Sequence, residues 1–282
     1  MYSRDLQSPD NNLTATRSME FLSVLLSILL AVVSPAGFVA DKVVADAIRQ
    51  RFESVDQLQV RIDNTPSYQL AQGKVERVRV AGRGMRLTRE IRIAALEVET
   101  DPIDVDVRRL RRGGKTQLRE ALREPAQGMV RLVLTEGDIN RALQSPEVAS
   151  RLRNLGARLA GAAERQGVER YEVLNPRLEL LENSRLRFSG EIQERGDPER
   201  LAVVVESGVR IVSGRRIELA EPVVLVNGEP APARLVAGLA SGVSRRSDTG
   251  TLERYGITAR LLQLNVTPDE LELAAFARVE RR

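Results

Sequence analysis

The feature that most restricts how this chain can fold is a two-residue alternation of apolar and polar side chains that returns along most of its length. Leu58, Val60 and Ile62 alternate with Gln59 and Arg61, Val78 and Val80 with Arg77 and Arg79, and Ile91 and Ile93 with Arg92. Ile103, Val105 and Val107 follow, with Asp104 and Asp106 between them. A period of two sends successive side chains to opposite faces, so each run describes a strand with one dry face and one wet face. The dry phase slips by one at Ala94-Ala95, where Leu96 and Val98 take over, as a β-bulge would produce. Further strands are expected at residues 129–134, 171–173, 178–180, 186–192, 201–205, 209–212 and 217–226. A final hairpin, 257–266 and 271–279, turns at Thr267-Pro268-Asp269.

Between these runs the period changes to that of a helix. Val43, Val44, Ala47, Ile48 and Phe52 recur at helical spacing. Thr135 is placed to cap a helix, with an acid, Asp138, three residues on. Ser145-Pro146 starts another by the same chemistry, with Val148, Leu152, Leu155, Leu159 and Ala162 along one face. Residues 230–245 carry a stripe of Leu235, Val236, Leu239 and Val243, with Gly238 and Gly242 allowing close approach. The expected class is α+β: a long curved antiparallel β-sheet wrapped around amphipathic helices.

One stretch departs from this grammar. Residues 21–40, FLSVLLSILLAVVSPAGFVA, carry no charge, and about twenty residues at ~1.5 Å each reach the ~30 Å of a bilayer core. Pro35 and Gly37 interrupt the far end, which leaves 21–33 at signal-peptide length, followed by Ser34-Pro35-Ala36 in place of an A-x-A cleavage site. The segment therefore reads as an N-terminal apolar helix, a signal peptide or a membrane anchor. The expected organisation is a polar leader at 1–18, disordered or preceding a true start at Met19, the apolar segment at 19–40, and one α+β domain at 41–282. That domain has halves of about 41–165 and 166–282.

Composition removes much chemistry. Cys and His are both absent, so there is no thiolate nucleophile, no imidazole relay and no soft metal site. Asp101, Asp104 and Asp106 invite a metal reading, but hard cations want six or more oxygens from several segments, and a wet strand face accounts for them. Neither a catalytic residue nor a metal nor a cofactor is expected. The net charge of +4 suits an anionic partner. The densest basic stretch holds Arg108, Arg109, Arg111, Arg112, Lys115, Arg119 and Arg123 against Glu120 and Glu124. It is either a solvated loop or a contact for anionic headgroups. No aromatic side chain interleaves with it to stack on bases, so nucleic acid is not the expected partner.

Four blocks carry a resemblance: PSYQLAQGKVERVRVAGRG at 66–84, LTEGDINRALQSPEV at 134–148, VNGEPAPARLVAGLA at 226–240 and GITARLLQLNVTPDELELAAFARV at 256–279. In this order they resemble the LmeA-like phospholipid-binding family, over about residues 43–279. The resemblance implies a bacterial cell-envelope protein that binds phospholipid, with a fold similar to the tubular lipid-binding proteins, in which a strongly curved sheet wraps a helix and leaves an apolar groove. It brings no catalytic motif. The candidate wall of such a groove is Val78, Val80, Ile91, Ile93, Leu96, Val98, Leu132 and Leu134. The candidate headgroup contacts are Arg108, Arg109, Arg111, Arg112 and Lys115. The expected function is non-enzymatic: a phospholipid is carried or presented at a membrane, on the periplasmic side of the envelope. A scaffold with a filled core and no lipid is the alternative, with protein partners unspecified. A lipid hydrolase stays open only in principle, since G-x-S-x-G and a glycine-rich phosphate loop are both missing.

Overall fold

The computed structural model describes residues 40–64, 67–109, 118–146, 148–149 and 171–281. Helix α1 (Ala40–Arg49) leads into β1 (Ser54–Asp63). A 3₁₀ turn (Ser67–Gln72) and the short strand β2 (Lys74–Val75) precede β3 (Arg77–Arg86), β4 (Arg92–Thr100) and the equally short β5 (Ile103–Asp104). Then come α2 (Leu118–Ala121), β6 (Ala126–Thr135) and α3 (Glu136–Leu143). The rest of the chain supplies β7 (Tyr171–Leu181), β8 (Arg185–Glu194), β9 (Arg200–Val212), β10 (Arg216–Val226), β11 (Glu229–Pro230) and α4 (Ala233–Arg246). A second 3₁₀ segment (Thr249–Tyr255) and the hairpin β12 (Ile257–Val266) and β13 (Glu270–Val279) close the chain.

The class is α+β and every paired strand is antiparallel, but the strands divide into two large sheets rather than one. The first has the order β1-β3-β4-β6-β13-β12, so the C-terminal hairpin completes a sheet begun at the other end of the chain. The second has the order β11-β10-β9-β8-β7, and β2 pairs with β5 in a small ribbon. Val75, Ile103 and Val105 turn inward from this ribbon and are buried. The run expected at 103–107 is thus strand only over Ile103–Asp104, with Val105 bridging to Leu122.

Two pairs of expected strands are continuous. In β7 the chain passes through Asn175, in the left-handed region at φ 51°, and Pro176, with a register shift between Leu174 and Arg177. A proline with no N–H to give is absorbed at a bulge. Residues 201–205 and 209–212 likewise belong to one strand, β9. Its partner β10 shifts register between Ala220 and Val223, around Glu221 (φ 49°) and Pro222. The phase slip in β4 has another cause than a bulge. The β3–β4 register runs unbroken from Arg79 opposite Glu99 to Arg86 opposite Arg92. Both strands change their buried phase together, near Gly84 at φ 59°, so that Met85 and Ile93 turn inward as a pair. Pro230 lies in β11, and the helix after it begins at Ala233.

The core of the first sheet is aliphatic. Ile48 of α1 and Phe52 pack with Val75, Val78, Val80, Met85, Ile93, Leu96, Ile103, Val105 and Leu122. In the second sheet Ile192, Val203, Val205 and Val224 lie under Val236 and Leu239 of α4.

Helix α3 ties the two sheets together. Thr135 and Asp138 form the expected capping box, and Asp138, 4% exposed, also accepts from Arg92 Nη1 at 3.2 and 3.1 Å. Toward the second sheet, Asn140 accepts from the Leu178 N–H and donates to the Leu178 carbonyl, both at 2.8 Å. Glu136 accepts from the Leu180 N–H at 3.0 Å. The edge of β12 is covered at one point by the β9–β10 turn, where the Leu261 N–H donates to the Gly214 carbonyl at 2.7 Å.

The apolar segment at 21–39 and the side chains of Leu152, Leu155, Leu159 and Ala162 lie outside the described residues. Among the described residues no helix is long and apolar enough to cross a membrane.

Candidate functional site

Cross-strand register assembles the core-facing side chains of the first sheet into apolar rungs six strands wide. One rung is Val60, Val80, Val98, Val130, Ala275 and Leu261; the next is Leu58, Gly82, Leu96, Leu132, Leu273 and Leu264. Cover varies along them, and Val60 and Leu58 at the β1 end are partly exposed. Val80 and Leu96 are each 2% exposed, closed over by the cluster around Ile48. From Val98 onward the rungs are half-open: Val98, Val130, Leu132 and Leu134 pack against that cluster but stay partly exposed, as do Leu261, Leu264, Leu271, Leu273 and Ala275. This half-open lane on β6, β13 and β12 continues past Gly128, Ala277 and Ala259 to Val279 and Ile257, while Ala126 beside Val279 is buried with the closed core. Along β13 it extends ~27 Å at ~3.4 Å per residue, longer than the ~15 Å that one leaflet contributes to a ~30 Å hydrocarbon core.

The expected wall residues fall into three groups. Val78, Val80, Ile93 and Leu96 belong to the closed core, while Val98, Leu132 and Leu134 belong to the half-open lane. Ile91 sits before β4 in a turn, where its N–H is bonded by Thr88 Oγ1 at 3.2 Å and its carbonyl by the Leu87 N–H at 2.9 Å. Sequence reasoning missed Val130, Leu261, Leu264, Leu271, Leu273 and Ala275 as wall residues. Their alternation was legible, but their place beside β6 was not, because the two strands lie far apart in sequence: Arg131 and Glu272, bonded at 2.6 Å, are 141 positions apart.

Of the expected headgroup contacts, Arg111, Arg112 and Lys115 lie outside the described residues. Arg108 and Arg109 are exposed, and the Arg109 guanidinium donates to the Glu120 carbonyl at 3.4 Å and lies 3.9 Å from the Asp106 carboxylate. Their backbone N–H groups, that of Arg109 foremost, donate to Asp106 and hold its carboxyl below its usual value. The flanking cations serve the fold: Arg119 Nε donates to the Glu280 carbonyl at 3.1 Å and Arg123 Nη1 to Asp104 at 2.9 Å. Lys74 also pairs with Asp104 at 3.6 Å. Because Arg119 reaches Glu280, just past β13, and the Asp101 N–H reaches the Gln127 carbonyl at 3.0 Å, the basic segment is anchored at the Val279–Ile257 end of the lane. Among the described residues no group of acids is placed to hold a metal ion.

The opposite face of the first sheet is charged. Arg131 is bracketed by Glu272 and Glu97 (3.4 Å), and Arg79 by Asp63 (3.2 Å) and Glu99 (3.5 Å). The hydrogen bond from Arg131 holds the Glu272 carboxyl below its usual value, and the one from Arg61 does the same for Asp63. An open concavity of about 530 Å³ lies here, with Met129 and Leu262 exposed in it between Arg61, Arg79, Arg131, Glu97 and Glu99. Leu262 stands out because it is the extra residue of the β12 bulge.

The model of the LmeA-like phospholipid-binding family matches residues 31–276. The chain belongs to the LmeA-like phospholipid-binding family. The match spans both large sheets, and it includes the lane from Gly128 on β6 to Phe276 on β13. Searches of curated proteins and of solved structures return no match. Membership makes phospholipid the ligand class against which this LmeA-like chain's apolar and basic surfaces are to be weighed.

Proposed function

We propose that this protein holds a phospholipid with an acyl chain along the half-open lane of β6, β13 and β12 and the headgroup beside Arg108 and Arg109. It carries or presents the lipid at a membrane of the bacterial envelope, on the periplasmic side, and does not change it chemically. The observation that carries the reading is the change of cover along single rungs. The same aliphatic ladder is dry at Val80 and Leu96 and partly exposed at Val130, Leu132, Leu273 and Ala275. A folded chain that leaves so much aliphatic surface partly wet gains ~0.8 kcal/mol for each CH₂ that a ligand buries there. The headgroup stays in water at the basic end, where its charge is not desolvated.

A second reading, an envelope scaffold without lipid, is favoured by the closed half of the same sheet. Val78, Val80, Ile93 and Leu96 are 1–5% exposed and have no room for a guest.

Native mass spectrometry with lipid extraction separates the two. The carrier reading expects one phospholipid per chain and its loss in Ala275→Phe and Ala277→Phe, which fill the lane without adding charge, with circular dichroism unchanged. A folded, monodisperse wild-type protein that stays free of lipid after incubation with vesicles would refute it and leave the scaffold.

A further inference from the structure

We propose that the Ala126–Val279–Ile257 end of the first sheet is a membrane-docking end, seated on an anionic bilayer with Tyr68 and Tyr255 at headgroup level. The inference rests on the carrier reading and names the surface from which the lipid is taken.

Aromatic residues are scarce in this chain, at 3%, with four Tyr in all and no Trp. Two of the three tyrosines among the described residues belong to this end. Tyr68 is 66% exposed, yet the turn that carries it is fixed. Gly73 closes it by donating to the Leu70 carbonyl at 3.0 Å, the Val105 N–H donates to the Gly73 carbonyl at 2.9 Å, and Arg123 reaches the Gln72 carbonyl at 3.5 Å. A large exposed side chain on a pinned turn is a presented group rather than a frayed one. Tyr255 lies just before β12, with the Arg254 guanidinium 4.9 Å from its ring centre. It is joined to the basic segment because the Arg119 guanidinium occupies the space beside Gly256 where a side chain would project.

Charge at this end is mixed, and its exposed cations offer the contacts for an anionic surface. Four of its acids are committed: Asp104 to Arg123 and Lys74, Asp106 to the N–H groups of Arg108 and Arg109 and the Arg109 guanidinium at 3.9 Å, Glu253 to Arg260 at 3.5 Å and Glu280 to Arg278 at 2.7 Å. Glu76, Asp101, Glu120 and Glu124 are exposed and oppose an anionic surface. Arg108 and Arg109 remain exposed beside the 3₁₀ turn, whose Gly73 abuts Val107. Tyrosine and arginine are side chains suited to the boundary between headgroups and hydrocarbon, one through its amphipathic ring and the other through attraction to lipid phosphate. The half-open lane reaches the same end along β13 and β12, at Val279 and Ile257, so docking there puts its mouth at the bilayer.

The absence of cysteine makes the test direct. Gln69→Cys and Thr251→Cys, at this end, and Asp269→Cys, at the far end of the first sheet, are labelled singly with an environment-sensitive fluorophore in the full chain. With phosphatidylglycerol–phosphatidylethanolamine vesicles, the labels at 69 and 251 should shift to the blue and the label at 269 should not. The shift should fall with added salt, with phosphatidylcholine vesicles, and on Tyr68→Ser or Arg108→Glu/Arg109→Glu. A shift confined to 269, no shift at all, or a shift produced by RNA and not by vesicles would overturn the proposal. Lipid loading by native mass spectrometry, run in parallel, keeps the two readings apart. Loading without a shift at 69 and 251 sinks the docking end alone, whereas a shift without loading sinks the carrier and leaves a membrane-bound protein.

Discussion

At the scale of single residues, the lane depends on side chains that are missing. Gly128 sits on β6 opposite Thr100, and a Cβ there would stand 2.6 Å from the Glu99 carbonyl oxygen and 3.1 Å from the Thr100 Cα. Both are backbone atoms and cannot swing away, so β4 and β6 approach this closely only because the position has no side chain. Gly128→Ala is therefore expected to lower stability by ~1–3 kcal/mol, the usual range for an overpacked site, read as an earlier midpoint in urea with an unchanged slope. A midpoint equal to wild type would mean that the two strands can separate at no cost. Gly238 and Gly242, by contrast, meet nothing within 4 Å, so the close packing expected of them is not found in the described structure.

At the scale of elements, strand pairing is supported by charges on the wet face. Arg131 of β6 stands directly opposite Glu97 of β4 and diagonally from Glu272 of β13, so one guanidinium clasps three strands. The Glu272 carboxyl is held below its usual value in the fold, so its contribution is complete above the ordinary glutamate pKa, about 4.3, and is lost as the pH falls through the lowered one. Wild type and Glu272→Gln should differ in stability by no more than about 1 kcal/mol at neutral pH and converge on the acid side of that window. A gap that stayed constant down to the acid transition would show that the ion pair is not its source.

The alternation that revealed β1, β3, β4, β6, β12 and β13 is a local property, and it gave their identity and their dry faces. The capping box at Thr135 was equally local and equally legible. Three kinds of feature were not. The interruptions at Asn175-Pro176 and Glu221-Pro222 look like strand ends in sequence because proline has no N–H to give, but a bulge lets the strand pass through. The shared slip of β3 and β4 near Gly84 looks like an insertion in one strand because only the partner strand reveals that both change phase. The lane itself depends on β13 lying beside β6, a contact between residues more than a hundred positions apart that no periodicity encodes.

At the scale of the whole molecule, two sheets with separate cores are joined, among the described residues, through α3, the β9–β10 turn and Thr249, whose N–H donates to the Arg215 carbonyl and whose hydroxyl donates to the Ala259 carbonyl. Asn140 satisfies both polar groups of Leu178 at the edge of β7, while Asp138, two residues earlier on the same helix, is locked to Arg92 of the first sheet. Asn140→Ala would leave a backbone donor and acceptor without their partner, at a cost of ~1–3 kcal/mol. It should also split thermal unfolding, with the second sheet melting first. A single transition, merely shifted, would mean that the sheets are coupled mainly elsewhere, for instance where Leu261 meets Gly214.

The clasp by α3 also bears on strand register. A strand at a sheet edge can slide by one residue and still pair, with every side chain then sent to the wrong face. Here the position of β7 is measured by a side chain amide and a carboxylate on a helix that is itself capped by the end of β6. The two groups reach alternate residues, Leu178 and Leu180. The first sheet thus acts as a ruler for the second, marking the offset of β7 in the folded chain independently of its pairing with β8.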